Sequence, residues 1–450
     1  MIIDCTLREG IQCRDVYFNN ENTRHIVRIL NELNVDYIEC GHPYVSEEEF
    51  KRVKTAVEVS KVPVLAHARC KNEDILSVKD AGAEWVGLFI SCNNLSLTNK
   101  FPKCTRSEVF EIFKKSIEFA KKLGLKVRAT VEDAGRTDLK TLLSLFSIAE
   151  EAADRICFAD SVGILDPWEV NDLIYLLNKM FPKIPIEFHG HNDRGLALSC
   201  SIAALKGGAS VISSSINGIG ERCGITDTLQ LMMYLKENNK EDKYKTKNIV
   251  SASEFISSVS RVFMNKLAPY VGDNSFTHVA KLHQIAVDRD ELSYSHINPL
   301  DIQRSSICHT NKGYEKKDFF ITPFVKGASE LEYHTDGPGT RYVMLDSRNS
   351  RLTDQYIIIR KVNHLKGDIE RHVDVHRHNC DSIFQFIGDG ENYSGLRVEV
   401  EIDGLVEELI SPATVFIPAG IYHKYRFLEG SGTFINTVNK KSYNDSLIRE

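Results

Sequence analysis

The chain has 450 residues, 42% hydrophobic and 26% charged, with a formal net charge of −6. That length is expected to divide into two or three globular units, and the weak acidity speaks against a nucleic-acid surface, which needs clustered Lys and Arg. No apolar run approaches the roughly 18 residues that cross a bilayer, no signal-peptide layout opens the chain, and the 11 cysteines include no C-x-x-C pair, so a soluble, reduced, cytoplasmic protein with no nucleic-acid or membrane partner is expected.

From residue 1 to about 240, short β-rich runs alternate with longer amphipathic ones. Strand candidates fall at 2–7, 36–39, 62–66, 85–90, 126–131, 155–159, 184–188 and 209–213. Between the first two, Ile26, Ile29, Leu30 and Leu33 recur at i, i+3, i+4 and i+7, the spacing of a buried helix face. Eight such strand–helix units predict an α/β fold, a TIM (β/α)8 barrel over 1–240. A doubly wound sheet competes, but no glycine-rich dinucleotide fingerprint follows the first strand. Residues 241–310 read as a helical subdomain that contributes to the active site, with a helical run at 252–267. Residues 311–339 read as a polar linker. Residues 340–440 read as a small all-β barrel, with strands at 356–359, 396–402 and 414–418.

A TIM barrel does its chemistry at the C-terminal ends of its strands. The polar residues there are Arg8 and Glu9, His67 and Arg69, Arg128 with Glu132 and Asp133, Asp160 and Ser161, and His189 with His191. Residues i and i+2 of a strand share a face, so both imidazoles of His189 and His191 can reach one ion. With Glu9 they make a two-histidine, one-carboxylate set that leaves positions open. A hydrogen-bonded histidine pair is the plainer alternative. For Arg128 the plainer alternative is an ion pair with a nearby carboxylate such as Glu132.

The run Asp4-Cys5-Thr6-Leu7-Arg8-Glu9-Gly10, the run His189-Gly190-His191-Asn192-Asp193, and Gly218-Ile219-Gly220-Glu221-Arg222-Cys223-Gly224 together resemble the HMG-CoA-lyase-like, or DRE-TIM, metalloenzymes. The likeness runs over residues 1 to about 305. It is nearest the homocitrate and isopropylmalate synthase branch, through Glu9 after the arginine, His67-Ala68-Arg69-Cys70, and Gly224-Ile225-Thr226. The resemblance implies Glu9, His189 and His191 as ligands of a divalent Mg, Mn or Zn. It implies Arg8 as stabiliser of an enolate or carbonyl oxygen and Glu132 as the remaining member of the catalytic set. His67 and Arg128 would bind the far carboxylate of an oxodicarboxylate, with Ser161 also lining the substrate. Phe276-Thr277-His278-Val279-Ala280-Lys281-Leu282-His283 resembles a segment whose second histidine is a catalytic acid/base supplied to the partner's barrel. That makes His283 catalytic in a homodimer. Lys281 replaces a family glycine, and a structural role for both histidines is the alternative.

His376-Arg377-His378, Gly388 and Pro418-Ala419-Gly420-Ile421-Tyr422-His423 resemble the two cupin motifs. The resemblance implies a second, transition-metal site at His376, His378 and His423. Ser382 stands at the usual glutamate position, with Asp381 or Gln385 as substitutes. A metal-free cupin used for dimerisation or for covering the barrel is the alternative. The expected activity is an acyltransferase that condenses acetyl-CoA with a 2-oxo acid. An aldolase or lyase, or a ligand-sensing cupin protein with an inactive barrel, compete with it.

Overall fold

The computed structural model describes residues 1–239, 243–311, 313, 315–366 and 372–449. The chain divides into two compact units, Met1–His309 and Thr310–Glu450. Among the described residues no helix is long and apolar enough to cross a membrane.

In the first unit eight short parallel strands close into a barrel in chain order: β1 Ile2–Asp4, β2 Tyr37–Glu39, β3 Val64–Arg69, β4 Trp85–Ile90, β5 Lys126–Val131, β6 Arg155–Asp160, β7 Ile186–Gly190 and β8 Val211–Ser214. The expected (β/α)8 architecture is therefore present. The helix after β1 shows how the local sequence builds it. Asn19 accepts a hydrogen bond from the Asn22 N–H and starts the helix Asn20–Leu33. Ile26, Val27, Leu30 and Leu33 turn inward, and Asn34, in the left-handed region at φ 62°, ends it. The main core lies between strands and helices, where Phe158 and Phe188 on neighbouring strands stack with ring centroids 6.2 Å apart. Inside the barrel the filling is partly ionic. Glu39, Arg128, Arg155 and Glu187 are all buried there, and Arg155 lies 4.5 Å and 4.6 Å from the ring centroids of Tyr37 and Trp85.

Beyond the barrel come the helices Thr228–Asn239 and Ile249–Ser260. The second is shorter than the expected 252–267 run because Arg261 adopts φ 59°, which breaks the right-handed helix. Two short strands follow, β9 Thr277–His278 and β10 Ile307–Cys308, paired in parallel, with the helix Lys281–Val287 between them.

The second unit is an antiparallel β domain. It contains β11 Phe324–Val325, β12 Arg341–Leu345, β13 Tyr356–Leu365, β14 Ser382–Gly388, β15 Leu396–Ile402, β16 Leu405–Ile410, β17 Ala413–Ile417 and β18 His423–Val438. The order is β11-β12-β13-β18-β14-β17, with β15 pairing β16 and β18. The segment expected as a linker supplies β11, which pairs with Tyr342 and Val343. Strict alternation puts Phe384 and Phe386 of β14 and Tyr425 and Phe427 of β18 inside. Truncating a fully buried aromatic leaves a cavity, so Phe158→Ala is expected to cost about 3–5 kcal/mol, read as a lower midpoint in denaturant unfolding.

Candidate active site

A cavity of about 490 Å³ opens in the first unit, lined by Arg8, Glu9, His67, Arg128, Glu132, Ser161, His189 and His191 among others. Eight of the nine first-unit residues given a role above thus line one cavity, with Asp133 beside them. Of the other strand-end polar residues, Arg69 pairs with Asp74, and Asp160 accepts from the Ile164 and Leu165 N–H groups. The ninth, His283, is not among the lining residues; it lies on the helix Lys281–Val287 with its ring stacked 3.9 Å from Tyr294.

Glu9 follows β1 and its backbone N–H is bonded to the Cys5 carbonyl. Its side chain is buried, and Oε1 accepts from the Glu221 N–H at 3.2 Å. That loop can come so near because residue 220 is glycine: a Cβ there would lie 2.8 Å from the Glu9 Cγ. His189 at the end of β7 and His191 just beyond it bring their Nε2 atoms to 3.3 Å of each other and to 3.9 Å of the Glu9 carboxylate. The three ligand-capable atoms lie within 4.8 Å of one another.

The electrostatics suit a cation. Burial lowers the pKa of both histidines, of His189 well below its ordinary 6.5, so both rings are neutral with lone pairs available. Burial pushes the Glu9 carboxyl up, but Arg8, His189 and His191 outweigh it and hold it at about 2. Two neutral imidazoles and one carboxylate are a deprotonated donor set that fits a divalent ion.

Behind this set lies an ion cluster centred on a residue the sequence reading passed over, Glu39 at the end of β2. Glu39 is fully buried and accepts from Arg8 Nε at 2.9 Å, Arg128 Nη1 at 2.9 Å and Arg128 Nη2 at 3.2 Å. Arg8 also pairs with Glu9. Arg128 Nη1 reaches Glu187 as well, at 3.0 Å; Glu187 Oε1 also accepts from the Ser213 hydroxyl at 2.8 Å, and Oε2 forms an ion pair with Arg155 Nε at 2.8 Å. His67 Nε2 is 2.8 Å from Glu39 and 2.6 Å from Arg128 Nη2. Burial lowers its pKa to about 4 despite Glu39, so it is a neutral ring whose nitrogen can donate to the one or accept from the other, but not both. The alternative partner weighed for Arg128, Glu132, instead meets Lys100 at 2.6 Å and is part-exposed. Ser161 Oγ accepts from the Asp133 N–H at 2.9 Å.

The second unit holds another cluster. His376, His378 and His423 are buried, and their ligand-capable atoms also lie within 4.8 Å of one another. Their Nδ1 atoms bond the Asp374 carbonyl, the Ser446 hydroxyl and the Ile421 carbonyl at 2.8, 2.7 and 3.0 Å. Neither substitute for the glutamate joins them. Asp381 Oδ1 accepts from the Ala419 N–H, and Gln385 lies on the face of β14 opposite to the inward Phe384 and Phe386.

Comparison with known proteins gives a matching context. The HMGL-like family model matches residues 1–256. The homocitrate synthase of Pyrococcus horikoshii is 38% identical over 296 residues, 65% of this chain and 81% of that protein. The homocitrate synthase of Saccharolobus islandicus is 34% identical over 304 residues, 66% of each chain. Among solved structures, an HMG-CoA lyase from Acinetobacter baumannii in complex with coenzyme A and 3-methylmalate superposes with a TM-score of 0.53 at 18% identity, covering 60% of this chain and 93% of that one. At that identity the likeness concerns the fold.

Two outcomes follow. Removing the Glu39 charge leaves Arg8 with Glu9 alone and Arg128 with Glu187 alone, so Glu39→Gln is expected to destabilise the first unit by about 3–5 kcal/mol, measured by denaturant unfolding. Stability should also fall with pH. The unfolded chain takes up protons below 6.5 that buried His67, His189 and His191 refuse, so stability drops as pH falls through that value. Glu9 and Glu39, held below their ordinary 4.5, add a second loss from 4.5 downward. Unfolding midpoints measured from pH 8 to pH 4 should decrease monotonically below about 6.5.

Proposed function

Since this chain belongs to the HMGL-like family, we propose that it is an acyltransferase that joins acetyl-CoA to a 2-oxo acid and releases coenzyme A. The observation that carries the proposal is the convergence of Glu9, His189 and His191 beside Arg8 in one cavity. The relatives of 34–38% identity are condensing synthases by name, which favours this reading over a lyase or a sensor.

Glu9, His189 and His191 would hold a divalent ion, which when bound polarises the carbonyl of the chelated 2-oxo acid. Every other step is work for this chain's own side chains. Arg8, fixed by Glu39 and Glu9, presents its guanidinium where the carbonyl oxygen gains negative charge as the new bond forms. A base removes a proton from the acetyl methyl group. The resulting carbon attacks the carbonyl carbon, and the oxygen takes a proton to become a tertiary hydroxyl. Hydrolysis of the thioester then yields the carboxymethyl hydroxy acid and the free thiol. For the base we favour the partner subunit's His283, because this chain's own His283 is not among the residues lining its cavity. Glu132, a cavity-lining residue that accepts from Lys100, would relay a proton. His67 and Arg128 would meet the far carboxylate of the oxo acid, and Ser161 would line its path. In the second unit, His376, His378 and His423 offer three neutral imidazoles, a set suited to a transition metal, as the cupin resemblance implies.

Free-thiol release from acetyl-CoA, screened across 2-oxo acids, tests the reaction: release with at least one oxo acid is expected, and its loss in His189→Ala with the fold retained. Thiol release that is undiminished in His189→Ala would refute the donor set. His67→Ala is expected to raise KM for the oxo acid roughly tenfold or more, the loss of one charge-assisted contact, and to leave KM for acetyl-CoA unchanged. Mixing inactive His283→Ala and Arg8→Ala proteins should restore partial activity through shared sites; no recovery after verified subunit exchange would place the base within one chain.

A further inference from the structure

The inner wall of the second unit carries two arginines that its core does not explain. Every second residue of β12 and β13 turns inward: Arg341 and Val343 on one strand, Tyr356, Ile358, Arg360 and Val362 on the other. Arg341 and Arg360 are register partners across the pair and are only 4% and 3% exposed. Like charges directly opposite on one sheet face repel, and burial removes the water that would screen them.

A buried cation is ordinarily held by a carboxylate. The barrel of the first unit follows that rule. Arg8, Arg128 and Arg155 in the first unit each reach a buried glutamate. In the second unit the less buried Arg348, Arg351, Arg397, Arg426 and Arg449 also reach an acid, while buried Lys326 lies over the Tyr356 ring, 5.3 Å from its centroid. Among the described residues Arg341 and Arg360 form no ion pair, and Arg341 Nη1 and Arg360 Nε and Nη1 have no hydrogen-bond partner. The hydroxyl of Tyr356, on the same face of β13, is likewise buried without a partner. Gly337 brings a loop over this wall: a Cβ there would lie 2.9 Å from Arg360 Nη1 and 2.5 Å from His372.

The wall is continuous with the histidine cluster. Tyr443 stands 5.7 Å from Tyr356, ring to ring, and its hydroxyl meets His376 Nε2 at 2.8 Å. Phe384 bridges Tyr425 and His423, with ring centroids 5.2 Å and 5.6 Å away.

We propose that the interior of the second unit is a binding site for a small molecule bearing a carboxylate or phosphate, its oxyanion held between Arg341 and Arg360 and its body directed toward His376, His378 and His423. Two guanidiniums on adjacent strands offer several N–H donors to one planar or tetrahedral oxyanion, and the anion supplies the paired charge that no carboxylate among the described residues provides, exposed Asp336 attracting Arg360 without an ion pair. The site is separate from the proposed condensation and does not depend on it.

Thermal unfolding of the full chain in saturating malate, phosphate or chloride at equal ionic strength tests this. The transition of the wild-type protein is expected to rise by several degrees in malate or in phosphate relative to chloride; which of the two acts identifies the oxyanion. Arg341→Met and Arg360→Met should each abolish that rise. In chloride both should melt at or above the wild type, because an apolar side chain replaces an unpaired buried charge. Arg360→Lys, which keeps the charge without the fork, should show a reduced rise. Absence of any rise in the wild type, an equal rise in the Met variants, or Met variants that melt below the wild type in chloride would each overturn the proposal.

Discussion

Glu39 holds together the part of the barrel where chemistry can happen. It binds Arg8, Arg128 and His67 at once, and is itself fully buried. In such a place desolvation and Coulomb attraction are both large, and the arrangement survives only if each charge is met. The names balance: Glu9, Glu39 and Glu187 stand against Arg8, Arg128 and Arg155, while His67, His189 and His191 are neutral. A divalent ion held at Glu9, His189 and His191 would add a surplus of positive charge. An oxo acid with one or two carboxylates is the kind of molecule that neutralises it. The same cluster aims Arg8: its Nε is tied to Glu39, and a second contact goes to Glu9. A guanidinium anchored on two sides loses little freedom when a charge develops in front of it.

This cluster also changes how Arg128 is understood. Its guanidinium lines the cavity, yet Glu39 and Glu187 already engage it, so under the proposed function it would contribute to recognition as part of a neutral floor. Deleting it would leave Glu39 with Arg8 and His67 and Glu187 with Arg155 and Ser213, each buried carboxylate short of one cation, a structural loss before any loss of binding. His67, whose ring nitrogen sits between Arg128 and Glu39, is the residue that can respond to a substrate without unbalancing the interior.

The barrel was legible because strand–helix alternation and the three polar runs at strand ends recur with the period of the fold. The convergence of Glu9, His189 and His191 was legible for the same reason, since i and i+2 spacing gives a common face. Glu39 and Glu187 were not recognised because a glutamate in a short strand looks like its solvent-facing member, although Glu187 lies two residues before His189 and so on the same inward face. The partners of Arg128 lie 89 and 59 residues away in sequence, on strands that only barrel closure brings together. In the second unit the 16-residue β18 was missed because Gly430 and Gly432 interrupt its apolar pattern; there the strand passes from β15 to β13 and β14. The two histidine clusters share an i, i+2 pair but differ in charge. One includes a carboxylate and the other does not, so an ion among His376, His378 and His423 would keep its full charge, and an anion bridging it to Arg341 and Arg360 becomes electrostatically reasonable.

The central claim is that Glu9, His189 and His191 form one divalent-ion site. Anomalous X-ray scattering from crystals of the full chain grown with Mn²⁺ tests it most directly. The account predicts a strong anomalous peak within ordinary metal–ligand distance, about 2.0–2.3 Å, of all three side chains. A well-ordered barrel with no peak there, or with its only peak elsewhere in the cavity, would contradict it.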